Sequence, residues 1–198
     1  YFYSFIMMVS LIIIAMIVWV EFFALISKII IVDTTKGRIL RFLYKSASLI
    51  YLSILVFSIL AIMSYHPNLE IYLLYSVLIT ILSDIGGLIF GKIFKGRKLT
   101  KISPKKTISG SIGSFIFSLC LIPIFYSEFL QHNLLLLILI TIVISLTAQL
   151  GDLFVSYLKR KANVKDTSDL LPGHGGFLDR VDGLIFATPF GIVLFNFI

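Results

Sequence analysis

The stretch LLLLILITIVISLTAQLGDLFVSYL, Leu134 to Leu158, decides the fold. A helix needs about 20 predominantly apolar residues to cross roughly 30 Å of hydrocarbon. This run exceeds that with a single charged residue, Asp152. Gln149, Asp152, Ser156 and, just beyond the run, Lys159 recur at three- and four-residue steps, so they share one helix face. The segment therefore reads as a membrane-crossing helix that carries a polar stripe toward one end.

The chain around it has the same character. Of its 198 residues, 59% are hydrophobic and only 14% charged, too apolar for a soluble domain of this size. Runs of crossing length are expected at about 3–27, 40–64, 70–91, 107–127, 134–158 and 181–198, the last being the shortest. All 17 Lys and Arg fall at or near the first, third and fifth connections; the second and fourth, SYHPNLE and SEFLQHN, contain none. Such alternation orients the odd connections to the cytoplasm. It also explains the net charge of +7 through topology and anionic headgroups, with no nucleic-acid partner needed. The fold class expected is thus all-α, a polytopic integral membrane protein of about six helices, with residues 1–66 as N-terminal helices and 67–198 as a membrane domain with polar cytoplasmic loops. Cys120, the only cysteine, lies in an apolar run and supports neither a disulfide nor a thiolate metal site. The chain opens on Tyr1, not Met, which leaves room for N-terminal sequence before it, and its first apolar run is too long for a signal-peptide h-region.

In that orientation Glu21, Asp84 and Asp152 all lie toward the cytoplasmic side of their spans. An acid at a helix centre costs about 2.5–3.5 kcal/mol on insertion scales and is a functional hypothesis by default. Proximity to the interface would explain Glu21 without function. Asp84 extends a polar stripe from Ser76 and Thr80, and Gly87 and Gly91 form a GxxxG that invites close approach of another helix.

The fifth connection and the start of the last span hold the densest chemistry, SYLKRKANVKDTSDLLPGHGGFLDRVDG, Ser156 to Gly183. Asp179 and Asp182 are three apart and project from one helix face; with Asp152 they place three carboxylates at one depth. Helix-dipole compensation explains one such Asp well and three poorly. A hard divalent cation such as Mg²⁺ relieves their repulsion through oxygen ligands and keeps positions for substrate phosphates. Lys159, Arg160, Lys165 and Arg180 stand beside the acids, and Pro172-Gly173-His174-Gly175-Gly176 allows a tight backbone approach to a ligand. His174 suits a phosphate donor or an acid/base, although a lone His is more often structural. In the third connection, Ser103 and Pro104 are expected at N-cap and N1 of the fourth span. Lys105 and Lys106 then oppose the helix dipole, a penalty that topology alone or a bound phosphate would explain.

These residues carry a resemblance. Ser156, Lys159-Arg160, Lys165-Asp166, Ser168, Leu171-Pro172, His174-Gly175-Gly176, Asp179-Arg180 and Asp182 match, spacing included, the pattern of the phosphatidate cytidylyltransferases, the CDP-diacylglycerol synthases. The likeness extends to QLGDL at Gln149–Leu153 and SPKKT at Ser103–Thr107, and is looser at Asp84, Gly91 to Gly96 and around Glu21. It implies transfer of CMP from CTP to phosphatidate, with release of pyrophosphate, at a site on the cytoplasmic side of a bacterial inner membrane. Asp152, Lys159, Lys165, Asp166, His174, Asp179, Arg180 and Asp182 would be catalytic. Ser103, Lys105, Lys106, Thr107, Ser156, Arg160, Gly175 and Gly176 would bind substrate. Asp152, Asp179 and Asp182, with Asp84 as a fourth candidate, would hold Mg²⁺, accompanied in the family by a monovalent cation such as K⁺. A homodimer is among the assemblies expected. A sister enzyme acting on another lipid phosphate shares most of this signature. A transporter would explain the intramembrane acids but not the basic, glycine-rich connection. A CDP-alcohol phosphotransferase would need a different series of Asp-Gly, Ala-Arg and Asp residues after Asp182-Gly183.

Overall fold

The computed structural model describes residues 2–30, 32–65, 69–129, 133–173 and 175–195. They form seven helices: α1 (Phe2–Ile29), α2 (Thr35–Tyr65), α3 (Glu70–Phe94), α4 (Ile108–Leu119), α5 (Ile122–Phe125), α6 (Leu134–Lys161) and α7 (Leu178–Phe195). Among the described residues the extended pairings are two isolated bridges, Lys98 with Thr107 and Leu171 with Gly175. The polytopic all-α expectation holds.

Each expected span has a helical counterpart. The fourth is broken: α4 ends at Leu119 and α5 restarts at Ile122. Pro123 supplies the reason, because it lacks an N–H and its ring would collide with the carbonyl four residues back, that of Leu119. The two pieces together, Ile108–Phe125, still suffice to cross, as do α1, α2, α3 and α6. The sixth expected crossing meets α7, whose 18 residues open on Asp179, Arg180 and Asp182. Those charges keep it out of the group of five helices long and apolar enough to cross. In all five, large apolar side chains face outward, Phe57 at 73% and Ile124 at 70% exposure among them. With lipid as solvent this is the exterior to be expected.

The chain divides into two compact units, Tyr1–Pro67 with Tyr157–Val181, and Asn68–Ser156 with Asp182–Ile198. In the first, α1 and α2 meet through Trp19, whose Nε1 donates to the Lys45 carbonyl at 3.2 Å, and through the Lys45 ammonium 2.9 Å from the Phe23 ring centroid. The segment from Tyr157 through the start of α7 belongs to this unit, which places the glycine-rich connection with the N-terminal helices.

The second unit has a core of Tyr75, Ile79, Ile140, Ile144, Ala148 and Ala187, closed at one end by an aromatic group of Tyr72, Tyr75, Phe125, Phe129 and Phe195. Buried hydroxyls bind its helices: Tyr75 Oη to Thr141 Oγ1 (2.8 Å), Ser83 Oγ to Ser145 Oγ (2.9 Å) and Ser114 Oγ to the Ser83 carbonyl (2.6 Å). In a bilayer, where apolar contact between helices gains little over contact with lipid, such bonds and close packing of small residues hold a bundle together. The glycines of α3 provide that packing. A Cβ at Gly86 would collide with the Gly113 carbonyl and with Phe117 at 2.7 Å, and one at Gly87 would lie 2.8 Å from Ser114 Oγ. Gly91 packs against Gly110 and Thr107. The GxxxG thus joins α3 to α4, as its spacing suggested, and Gly86 shares the seam.

Candidate active site

Three carboxylates meet in the second unit. Asp152 on α6 lies within hydrogen-bonding reach of Asp182 on α7, and Asp84 on α3 is close enough to act electrostatically on both. Asp182 is buried, Asp152 half-buried and Asp84 exposed. Lys106 forms an ion pair with Asp152 Oδ2. Ser156, one turn further along α6, donates to Asp152 Oδ1 at 3.4 Å. Gln149, one turn before it, accepts from Ser111 at 2.5 Å and belongs to the interhelical hydroxyl network. The stripe expected on this helix thus splits in role: one end holds the bundle and the other faces the acids.

Lys106 reaches Asp152 because of a turn that sequence reasoning placed differently. Ser103 and Pro104 are not N-cap and N1 of α4. They open a turn closed by the Lys106 N–H donating to the Ser103 carbonyl at 3.1 Å. Proline's fixed φ suits the second position of such a turn as well as a helix start. The N-cap is Thr107, extended at φ −119° and ψ 158°, whose Oγ1 accepts from Gly110 N at 3.0 Å. Backbone bonds from Leu99 N to the Lys106 carbonyl (2.8 Å) and Ile108 N to the Arg97 carbonyl (2.9 Å) fix the turn from the other side. Both lysines therefore precede the helix instead of occupying its first turn, and they differ: Lys105 is exposed, whereas Lys106 is half-buried against the acid.

In the first unit, the connection between α6 and α7 is built around two other carboxylates. Asp179 Oδ1 accepts from Lys159 Nζ at 2.5 Å. Its Oδ2 accepts from Thr167 N (2.8 Å), Thr167 Oγ1 (3.0 Å) and Gly176 N (3.1 Å). Glu21, arriving from α1 and only 4% exposed, accepts from Ser168 Oγ (2.5 Å) and Phe177 N (2.9 Å) on one oxygen, and from Thr167 Oγ1 (2.9 Å) and Leu178 N (2.7 Å) on the other. Gly175 has φ +81°, a region that favours glycine, and bonds back through its carbonyl to Leu171 N at 3.0 Å. A Cβ at Gly176 would collide with Thr167 Oγ1 and stand 2.7 Å from Glu21 Oε2. Arg160, Lys165, Asp166 and Arg180 are exposed around this folded segment. His174 lies outside the described residues.

The expected residues thus occur in two constellations: Asp84, Asp152, Asp182, Lys106 and Ser156 in one unit, Lys159, Asp179, Gly175 and Gly176 in the other. Glu21 and Thr167 were absent from the expected site set. An acid late in the first span was a visible signal; its partners, 146 or more residues away in sequence, were not. Among the described residues, no three His, Cys, Asp or Glu side chains form a group arranged to hold a metal unaided. The donor chemistry of Asp84, Asp152 and Asp182 nevertheless suits Mg²⁺: hard oxygens, with one ammonium ion-paired to the cluster. Substrate phosphates would have to complete the coordination.

Comparison with known proteins supplies the remaining evidence. The sequence model of the cytidylyltransferase family matches residues 1–198. A phosphatidate cytidylyltransferase of Staphylococcus haemolyticus (strain JCSC1435) is 48% identical over 121 residues, 60% of this chain and 46% of the relative. One from Staphylococcus epidermidis (strain ATCC 12228 / FDA PCI 1200) is 46% identical over the same shares. One from Rickettsia bellii (strain RML369-C) is 46% identical over 114 residues, 54% of this chain and 49% of the relative. The chain spans about half the length of the curated relatives it matches.

Proposed function

We propose, for a chain that belongs to the cytidylyltransferase family, that its site transfers the cytidylyl group of CTP to phosphatidate. In this reaction a phosphate oxygen of phosphatidate attacks the α-phosphorus of CTP. The bond from that phosphorus to the bridging oxygen breaks, and pyrophosphate leaves with the electron pair. CDP-diacylglycerol is the product. The acceptor is already an anion, so no strong base is needed, and placement with charge compensation supplies most of the catalysis.

The observation that carries this reading is the Asp84–Asp152–Asp182 cluster with Lys106 set against it. A soluble polyanion such as the triphosphate of CTP meets repulsion at bare carboxylates, so the cluster makes sense as the seat of a cation that the phosphates share. Asp152 and Asp182 would hold Mg²⁺, with Asp84 beside them; bound there, the ion would supply electrostatic stabilisation of the phosphate oxygens. Lys106 orients Asp152 and brings a positive charge to the edge of the cluster. Asp179 has both oxygens engaged by Lys159 and loop donors, so it would join a metal only by releasing Lys159. Its part is to fold the loop that carries Gly175 and Gly176. The basic third and fifth connections would face the cytoplasm, where CTP is found, as the charge alternation requires.

The test is direct. Purified protein in lipid nanodiscs receives Mg²⁺, phosphatidate and CTP labelled at either the α- or the γ-phosphorus. Label from the α position is expected in the lipid extract, and γ-label in water-soluble pyrophosphate. Transfer to a different lipid phosphate but not to phosphatidate would overturn the substrate, and no transfer to any lipid would overturn the reaction.

A further inference from the structure

We infer that Glu21, on α1, is a positioning residue that sets the loop between α6 and α7 and the start of α7. Helix α7 lacks a capping side chain of its own, because Phe177, immediately before it, cannot accept a hydrogen bond. The N–H groups of Phe177 and Leu178 donate instead to the Glu21 carboxylate, which caps the helix from another element. An anion there also complements the positive end of the helix dipole. The same two oxygens receive the Thr167 and Ser168 hydroxyls. An ionised carboxylate offers about four acceptor positions; the Phe177 and Leu178 N–H groups and the Ser168 hydroxyl occupy three, and the single Thr167 hydroxyl proton is shared between Glu21 and Asp179.

Three further observations separate this arrangement from an incidental buried acid. Glu21 is held by hydrogen bonds from the loop and helix start. A buried carboxylate without those donors would be strongly disfavoured, which makes the loop fold and the acid mutually dependent. Thr167 Oγ1 stands 2.9 Å from Glu21 and 3.0 Å from Asp179, linking the cap to the Lys159–Asp179 pair. Gly176 passes so close that any Cβ would meet Thr167 Oγ1 and Glu21 Oε2, so the backbone is shaped to the carboxylate. Glu21 thereby fixes where the first turn of α7 begins, and with it the orientation of Asp179.

The kinetic part rests on the function proposed above; the structural part does not. Glu21→Gln keeps the volume but replaces one accepting oxygen with an NH₂ that cannot accept. In this variant, backbone amide exchange over 165–180 should accelerate at least about tenfold while peptides of α3 and α6 stay unchanged. Transfer of CMP should lose about 10- to 100-fold in kcat at an unchanged Mg²⁺ requirement, the cost of misplacing groups by an ångström or so. Glu21→Asp, which retains the anion, should recover part of both. Ser168→Ala removes one donor and leaves α1 intact, and should shift exchange in the same direction to a smaller extent, which keeps the test open should the Gln variant not assemble. Parental exchange in Glu21→Gln, or in Ser168→Ala if only that variant folds, would overturn the inference. So would exchange accelerated evenly along the chain, or local acceleration with parental kcat. A parent protein that transfers no label would sink the functional reading alone, because the exchange pattern still decides the role of Glu21.

Discussion

Lys105 and Lys106 are adjacent in sequence and share a charge, yet only the second turns toward Asp152. The pair is partly solvated, with side-chain exposures of 25% and 29%, so it contributes little to stability. Lys106→Gln should therefore leave the thermal midpoint within a few degrees of the parent while lowering kcat/KM by about 10- to 100-fold. Lys105→Gln should change kcat/KM less than about threefold, since its side chain is exposed. Equal losses from the two would place both on the substrate. The Lys159–Asp179 pair is of another kind, at 13% and 9% exposure. Removing one partner of a buried pair costs about 3–5 kcal/mol by stranding the other. Asp179→Asn should accordingly lower the thermal midpoint and loosen the loop with the Mg²⁺ requirement unchanged, whereas a raised requirement would return Asp179 to the metal.

At the scale of elements, apolar length was legible, whereas cross-helix register and the turn before α4 were not. Runs of Ile, Leu and Phe gave the helices. The start of α4 was misplaced because Ser103-Pro104 and Thr107 both satisfy local capping rules, and proline suits a turn as well as a first helical position. Only the chain's return through Arg97 and Leu99 selects between them. Thr107→Val should cost about 1 kcal/mol, read as a lower thermal midpoint, by removing the bond to Gly110 N. Gly86 could not be singled out from a glycine-rich helix, since its role depends on Gly113 and Phe117 across the seam. Gly86→Ala should destabilise more than the Thr107 change, because a backbone carbonyl stands where the new methyl would go; a midpoint equal to the parent's would show that α3 and α4 do not meet this closely.

For the whole molecule, the signature residues were readable because they form one contiguous segment, whereas their partners come from distant helices. Of the three acids expected at one depth, Asp152 and Asp182 come within hydrogen-bonding reach of each other, and Asp179 does not join them in that unit. Asp179 could not be assigned to Lys159 and the loop amides from spacing alone, and Glu21 lies 146 residues before the first of its partners. The charge alternation makes a statement about the entire chain that labelling can check. A Cys introduced at Asn133 should react with an impermeant thiol reagent from outside intact cells, and one at Lys98 should react only after permeabilisation. The reverse pattern would detach the basic connections from cytoplasmic CTP.

The most direct test of the carboxylate cluster is a Mg²⁺ titration of CMP transfer in Asp152→Asn and Asp182→Asn, each verified as folded by its thermal midpoint. Both substitutions keep volume and remove one negative charge from the Asp84–Asp152–Asp182 group. The expected result is a loss of at least about 100-fold in kcat/KM, with the residual activity needing about tenfold more Mg²⁺ for half-maximal rate. Folded variants that turn over at the parental rate with the parental Mg²⁺ requirement would contradict the assignment of these acids to the metal and phosphate site.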